Sequence, residues 1–115
     1  TEAVRQHLTV PAHEFLGTLS FPEIGALAKN SRLYLGNDTG LTHIASASGA
    51  KTAMILGLTD PVRYAPFTDN SLALWKPIAL DEGGVAGVHS ANWDWERDGI
   101  SVEQVLIELR TFLGN

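Results

Sequence analysis

Two short apolar runs, each closed by a glycine and neither alternating polar with apolar residues, constrain this chain more than any other feature: Arg32-Leu33-Tyr34-Leu35-Gly36 and Thr52-Ala53-Met54-Ile55-Leu56-Gly57. A strand with one wet face alternates. A strand covered on both faces does not, and that is the condition of a parallel sheet flanked by helices. Between the runs, Gly40 to Ser48 carries Leu41, Ile44, Ala45 and Ala47 in a helical pattern of small residues suited to close packing, and Gly49 supplies a stop. Strand, helix and strand joined by a few residues form a βαβ unit. The chain is therefore expected to be α/β, a Rossmann-like open parallel sheet flanked by helices.

Further elements follow from local signals. A helix over Phe21 to Lys29 has Ser20 as its N-cap, Pro22 in the first turn and Glu23 three residues after the cap. A closing amphipathic helix over Ser101 to Leu113 spaces Val102, Val105, Leu106, Leu109 and Phe112 along one face. A weaker strand is expected at Glu14 to Leu16, and another across Leu72 to Leu80, where Pro77 argues for an edge or a break. Asp81 to Gly99 is too polar and glycine-rich for a regular element and reads as loop. Within it His89, Trp93, Asp94, Trp95 and Glu96 suit either stacking on a sugar or pinning the loop to the sheet.

Composition narrows the function classes. With 115 residues, 44% of them hydrophobic, residues 1–115 read as one domain. No apolar stretch approaches the roughly 18 residues of a membrane span. The net charge is -5, and the eight Lys and Arg residues are scattered, which argues against a nucleic-acid partner. It does not argue against a phosphorylated small ligand, because helix N-termini bind phosphate through backbone amides. Cysteine is absent, which excludes disulfides and thiolate metal ligands. His7 and His13 form no metal-binding spacing with each other or with a carboxylate, so no metal is expected. The chain opens on Thr1, and Thr1 to His7 reads as the end of a helix with no cap before it, which suggests a cut from a longer protein.

The stretch Gly36-Asn37-Asp38-Thr39-Gly40-Leu41-Thr42-His43 carries the chemistry. It leaves a buried strand, turns through small polar residues and enters a helix, the place where open α/β sheets bind ligands. Gly40 allows backbone to approach an anion, Thr39 adds a hydroxyl, and Leu41 contributes an amide while its side chain turns inward. A carboxylate is repelled by phosphate, so Asp38 suits sugar hydroxyls better. His43, one turn into the helix, can donate to a phosphate or a sugar hydroxyl or carry a proton. The plainer alternative is that Asp38 or Thr39 caps the helix and His43 is a surface histidine. Neither a Walker loop nor a GxGxxG fingerprint is present. Gly57 to Pro61 follows the second strand and reads either as a border of the ligand or as an ordinary turn.

Asn37-Asp38-Thr39-Gly40-Leu41-Thr42-His43-Ile44-Ala45-Ser46-Ala47, then Gly49, then Gly57-Leu58-Thr59-Asp60-Pro61, resembles glycosyltransferase family 9, which includes the ADP-heptose:lipopolysaccharide heptosyltransferases. The likeness is good from Leu16 to Pro66 and loose at the closing helix. It departs at Thr39, where many members have Ser, at Thr42, and after Pro61, where a glycine-rich run is lacking. The resemblance implies the C-terminal, donor-binding half of a two-domain GT-B fold. Amides around Thr39, Gly40 and Leu41 would hold the donor diphosphate, Asp38 and His43 would contact the sugar, and Leu19 would line the base pocket through its backbone. It further implies a general base in an N-terminal domain, no catalytic residue in this chain, and a fragment inactive alone. No cofactor is implied beyond a nucleotide-sugar substrate such as ADP-heptose. The acceptor would be a lipopolysaccharide core or other surface glycan, met in the cytoplasm at the inner face of the bacterial inner membrane. A non-catalytic nucleotide or nucleotide-sugar binding module, or a purely structural domain, are the rival readings.

Overall fold

In the computed structural model, which describes residues 2–58, 61–76, 80–81, 84–85 and 93–114, the chain opens on a helical turn, α1 (Glu2–Arg5). The guanidinium of Arg5 donates to both carboxylate oxygens of Glu14, at 2.6 and 2.8 Å, and hooks this turn onto an irregular stretch. The strand expected at Glu14 to Leu16 does not form, and these residues are exposed coil. A strand needs a neighbouring strand to pair its amides, and among the described residues none pairs with this segment.

Helix α2 (Phe21–Lys29) starts where its capping signals put it. Ser20 Oγ accepts from the Glu23 amide at 3.3 Å, and Glu23 Oε1 accepts from the Ser20 amide at 2.9 Å. The hydrogen bond from the Ser20 backbone holds the Glu23 carboxyl below its ordinary range. After α2 come β1 (Tyr34–Asn37), α3 (Gly40–Ala47) and β2 (Thr52–Ile55), the expected βαβ unit. A short helix α4 (Pro61–Tyr64) leads to β3 (Ser71–Leu74).

The strands form a parallel sheet in the order β1-β2-β3, with Asn37, Ile55 and Leu74 aligned at one end. The architecture is α/β and Rossmann-like, as the apolar runs required. Leu72 to Leu80 is not one strand. Its first part belongs to β3, while β4 (Leu80–Asp81) pairs antiparallel with β5 (Gly84–Val85), and Pro77 lies outside the described residues.

Burial departs from expectation on one strand. β2 has a strand on either side and buries Thr52, Ala53 and Met54 completely. β1 is an edge of this sheet and alternates instead, leaving Leu35 47% exposed. Only the face bearing Tyr34 and Gly36 is covered, by α3 and by the small cluster of Ala28, Ala45 and Ala50. An apolar run is thus a necessary sign of burial but not a sufficient one.

The loop expected over Asp81 to Gly99 contains a helical turn, α5 (Trp95–Asp98), capped by Asp94. His89 lies outside the described residues. Helix α6 (Val102–Leu113) is capped by Ser101, whose Oγ accepts from the Gln104 amide at 3.1 Å, and stops at Gly114. Its inward face is Val105, Leu109 and Phe112, half-buried, with Lys51 Nζ 4.5 Å from the Phe112 ring centroid. Val102 and Leu106, read from the sequence as part of that face, point to solvent. Among the described residues no helix is long and apolar enough to cross a membrane.

Candidate functional site

Because the three strands run parallel and in register, the segments that follow them gather at one edge of the sheet. After β1 only Asp38 and Thr39 intervene before α3 begins. The carbonyl of Asn37 organises this turn, accepting from the Thr39 amide at 2.9 Å and from Thr42 Oγ1 at 2.6 Å. Thr42 is fully buried. A Cβ at Gly36 would stand 2.5 Å from Thr42 Oγ1 and 2.9 Å from Tyr34 Cε1, so the strand can approach the helix this closely only through a glycine.

Thr39 sits at the N-cap position with extended backbone (φ -124°, ψ 166°), yet its side chain makes no capping hydrogen bond. The capping alternative therefore applies to its position and not to its hydroxyl. The amides of Gly40, Leu41 and Thr42 make no hydrogen bond among the described residues. In α2 and α6 a serine occupies one of these first-turn donors; in α3 all are left open. Unpaired N–H groups at the positive end of a helix dipole favour an anion.

Asp38, Thr39, Gly40 and His43 are all exposed around this turn, and the His43 amide donates to the Thr39 carbonyl at 3.3 Å. The sequence reading of Leu41 needs correction. Its side chain is 39% exposed rather than turned inward, because the buried stripe of α3 falls on Thr42, Ala45 and Ser46 and leaves position 41 pointing aside. Leu19 lines a cavity of about 390 Å³ with Phe15, Glu23, Ala26, Leu27 and Asn30, walled by α2 and the chain leading into it and including none of the turn residues.

Gly57, just past β2 at the same edge, is buried under tryptophan. A Cβ there would come within 2.7 Å of Trp95 and 3.2 Å of Trp93, whose rings meet edge to face with centroids 5.3 Å apart. Both rings pack over Gly57, as the pinning reading expects, while Trp95 stays 49% exposed. Thr59 and Asp60 lie outside the described residues. A further cavity of about 610 Å³ opens between the end of β3 and the start of α6, lined by Trp75, Lys76, Glu96, Gln104 and Glu108 among others; of the residues singled out from the sequence it includes Glu96 but none of the turn from Asp38 to His43. Among the described residues no cluster of His, Asp and Glu has the makings of a metal site.

Sequence reasoning missed Thr42, which it treated only as a departure from a motif. A threonine within the first turn of a helix that follows a strand-ending glycine was the available signal, since its hydroxyl reaches backward to a free carbonyl.

Residues 1–82 match glycosyltransferase family 9 (heptosyltransferase), a longer span than the motif resemblance alone covered. The chain is 33% identical to lipopolysaccharide heptosyltransferase 3 of Escherichia coli over 67 residues, which is 58% of this chain and 20% of that protein. It is 35% identical to lipopolysaccharide heptosyltransferase 3 of Escherichia coli strain K12 over 74 residues, 64% of this chain and 22% of that protein. It thus spans about a fifth of the length of these curated relatives. No solved structure gives a significant match. With a Rossmann-like sheet, the Asp-Thr-Gly turn at its carboxyl edge and a family match over most of its length, the chain belongs to glycosyltransferase family 9.

Proposed function

We propose that this chain is the C-terminal, donor-binding domain of a GT-B glycosyltransferase, and that the turn between β1 and α3 takes the diphosphate of a nucleotide sugar. The observation that carries this reading is the set of unpaired amides at Gly40, Leu41 and Thr42, at the carboxyl edge of a parallel sheet, in a family defined by sugar transfer. As the glycosidic bond breaks, negative charge grows on the departing nucleoside diphosphate, and preorganised amides stabilise it more than they stabilise the intact donor. Thr39 adds a hydroxyl donor to the same group.

Asp38 is kept from the diphosphate by like charge and accepts hydrogen bonds from sugar hydroxyls instead. His43, one turn along, donates to a phosphate or sugar oxygen. Leu19 contacts the base through its backbone. The names of the relatives support heptose as the sugar and lipopolysaccharide as the acceptor; ADP-heptose as the donor, the core as the acceptor region and reaction on the cytoplasmic side are what the family resemblance implies. The general base that activates the acceptor hydroxyl belongs to a separate N-terminal domain, so this chain binds donor without turning it over.

Calorimetric titration with ADP, UDP, GDP and ADP-heptose tests the reading. One nucleoside diphosphate is expected to bind saturably, with the heptosyl group adding affinity that Asp38→Ala removes while leaving the plain diphosphate unaffected. Folded chain that binds none of the four contradicts the donor role, and equal loss of ADP and ADP-heptose in Asp38→Ala contradicts the sugar contact.

A further inference from the structure

Helix α3 is fixed at its start in a way that differs from the other long helices. In α2 and α6 a serine before the helix accepts from a first-turn amide and so uses that amide up. In α3 the hold comes from inside. Thr42 Oγ1, sealed from solvent, donates backward at 2.6 Å to the Asn37 carbonyl, which also accepts from the Thr39 amide at 2.9 Å. One carbonyl thereby ties the end of β1, the turn and the first turn of α3 together. Among the described residues no first-turn amide is consumed, and the Thr39 hydroxyl makes no capping bond.

We propose that Thr42 is a positioning residue for the donor: its hydroxyl, through the Asn37 carbonyl, sets the backbone of the turn so that the open amides of Gly40, Leu41 and Thr42 and the Thr39 hydroxyl point at the diphosphate, while the Thr42 side chain itself does not touch it. This rests on the donor-binding reading above. Gly36 belongs to the same device, because a Cβ there would stand 2.5 Å from Thr42 Oγ1 and drive the hydroxyl off the carbonyl. The residue must carry a hydroxyl at this position. Valine fills the same volume but leaves the turn untied, whereas serine keeps the tie and loses only a methyl group.

The test compares wild type, Thr42→Val and Thr42→Ser by calorimetric titration with ADP, UDP and GDP and by the heteronuclear 15N NOE of residues 38 to 41 without ligand. Thr42→Val is expected to lower the NOE across the turn and to weaken the nucleoside diphosphate by about tenfold, the scale of one lost hydrogen bond expressed as affinity. Thr42→Ser is expected to restore both. If Thr42→Val does not fold, Thr42→Ala takes its place with the same expected losses. A hydroxyl-free variant that keeps wild-type NOE and affinity, or a serine variant as impaired as the valine, overturns the positioning role and leaves donor binding standing. Wild type that binds no nucleoside diphosphate overturns the donor reading and this role with it.

Discussion

Gly40 stands at the start of α3 with nothing within 4 Å of where a side chain would begin, so a larger residue there meets solvent or ligand rather than protein. Surface substitutions of this kind alter stability by about 0.5 kcal/mol or less. Gly40→Val is therefore expected to melt close to wild type in a calorimetric scan while losing at least about tenfold in nucleoside diphosphate affinity, because its methyl groups occupy the approach to the amides. A variant that melts normally and binds normally would place the anion elsewhere. The turn from Asp38 to His43 was legible because carboxylate, hydroxyl and glycine in that order after an apolar run mark the passage from a strand into a helix. The direction of Leu41 was not. At a helix start the sequence shows which residues are apolar, but the sheet decides which face is covered, and here it covers Thr42, Ala45 and Ser46.

Helix α5 is a small element held by charge. Asp94 accepts from the amides of Glu96 and Arg97 at 2.9 and 3.4 Å, and the Arg97 guanidinium donates to both oxygens of Asp98, at 2.9 and 2.7 Å. Arg97 is the main reason the Asp98 carboxyl falls from its ordinary 3.8 to about 2. A carboxyl that titrates lower in the folded chain than in the unfolded one favours folding above its unfolded pKa, and that contribution disappears as pH falls toward the folded value. Tryptophan fluorescence, which reports Trp95 within this turn, is expected to change between pH 3.8 and about 2 in wild type and to lose that step in Asp98→Asn. An unaltered step in the variant would assign it to another carboxyl. No sequence signal separated α5 from the loop around it, since four residues carry no periodicity. By contrast α2 and α6 were plain from serine caps and helical spacing.

At the scale of the whole molecule, few large side chains hold the sheet together. Met54, Leu56 and Leu74 are the largest fully buried apolar residues, and the cluster beneath α3 is built of alanines around Tyr34. Met54→Ala, in the central strand, is expected to cost about 2 to 5 kcal/mol, measurable as a lower denaturation midpoint with an unaltered slope. A loss well below that range would mean the sheet closes around the gap. The fold class was readable because non-alternating runs separated by a small-residue helix allow few arrangements other than a parallel α/β sheet. What escaped was the exposure of β1, because an edge strand differs from a central one in its neighbours and not in its composition. The claim that joins these scales is that an anion sits on the first turn of α3. A 15N-resolved NMR titration of the chain with ADP, UDP and GDP tests it most directly. For the nucleotide that binds, the largest shifts are expected at the amides of Gly40, Leu41 and Thr42; shifts concentrated instead around Trp75 and Gln104, in the cavity beside α6, would contradict the account.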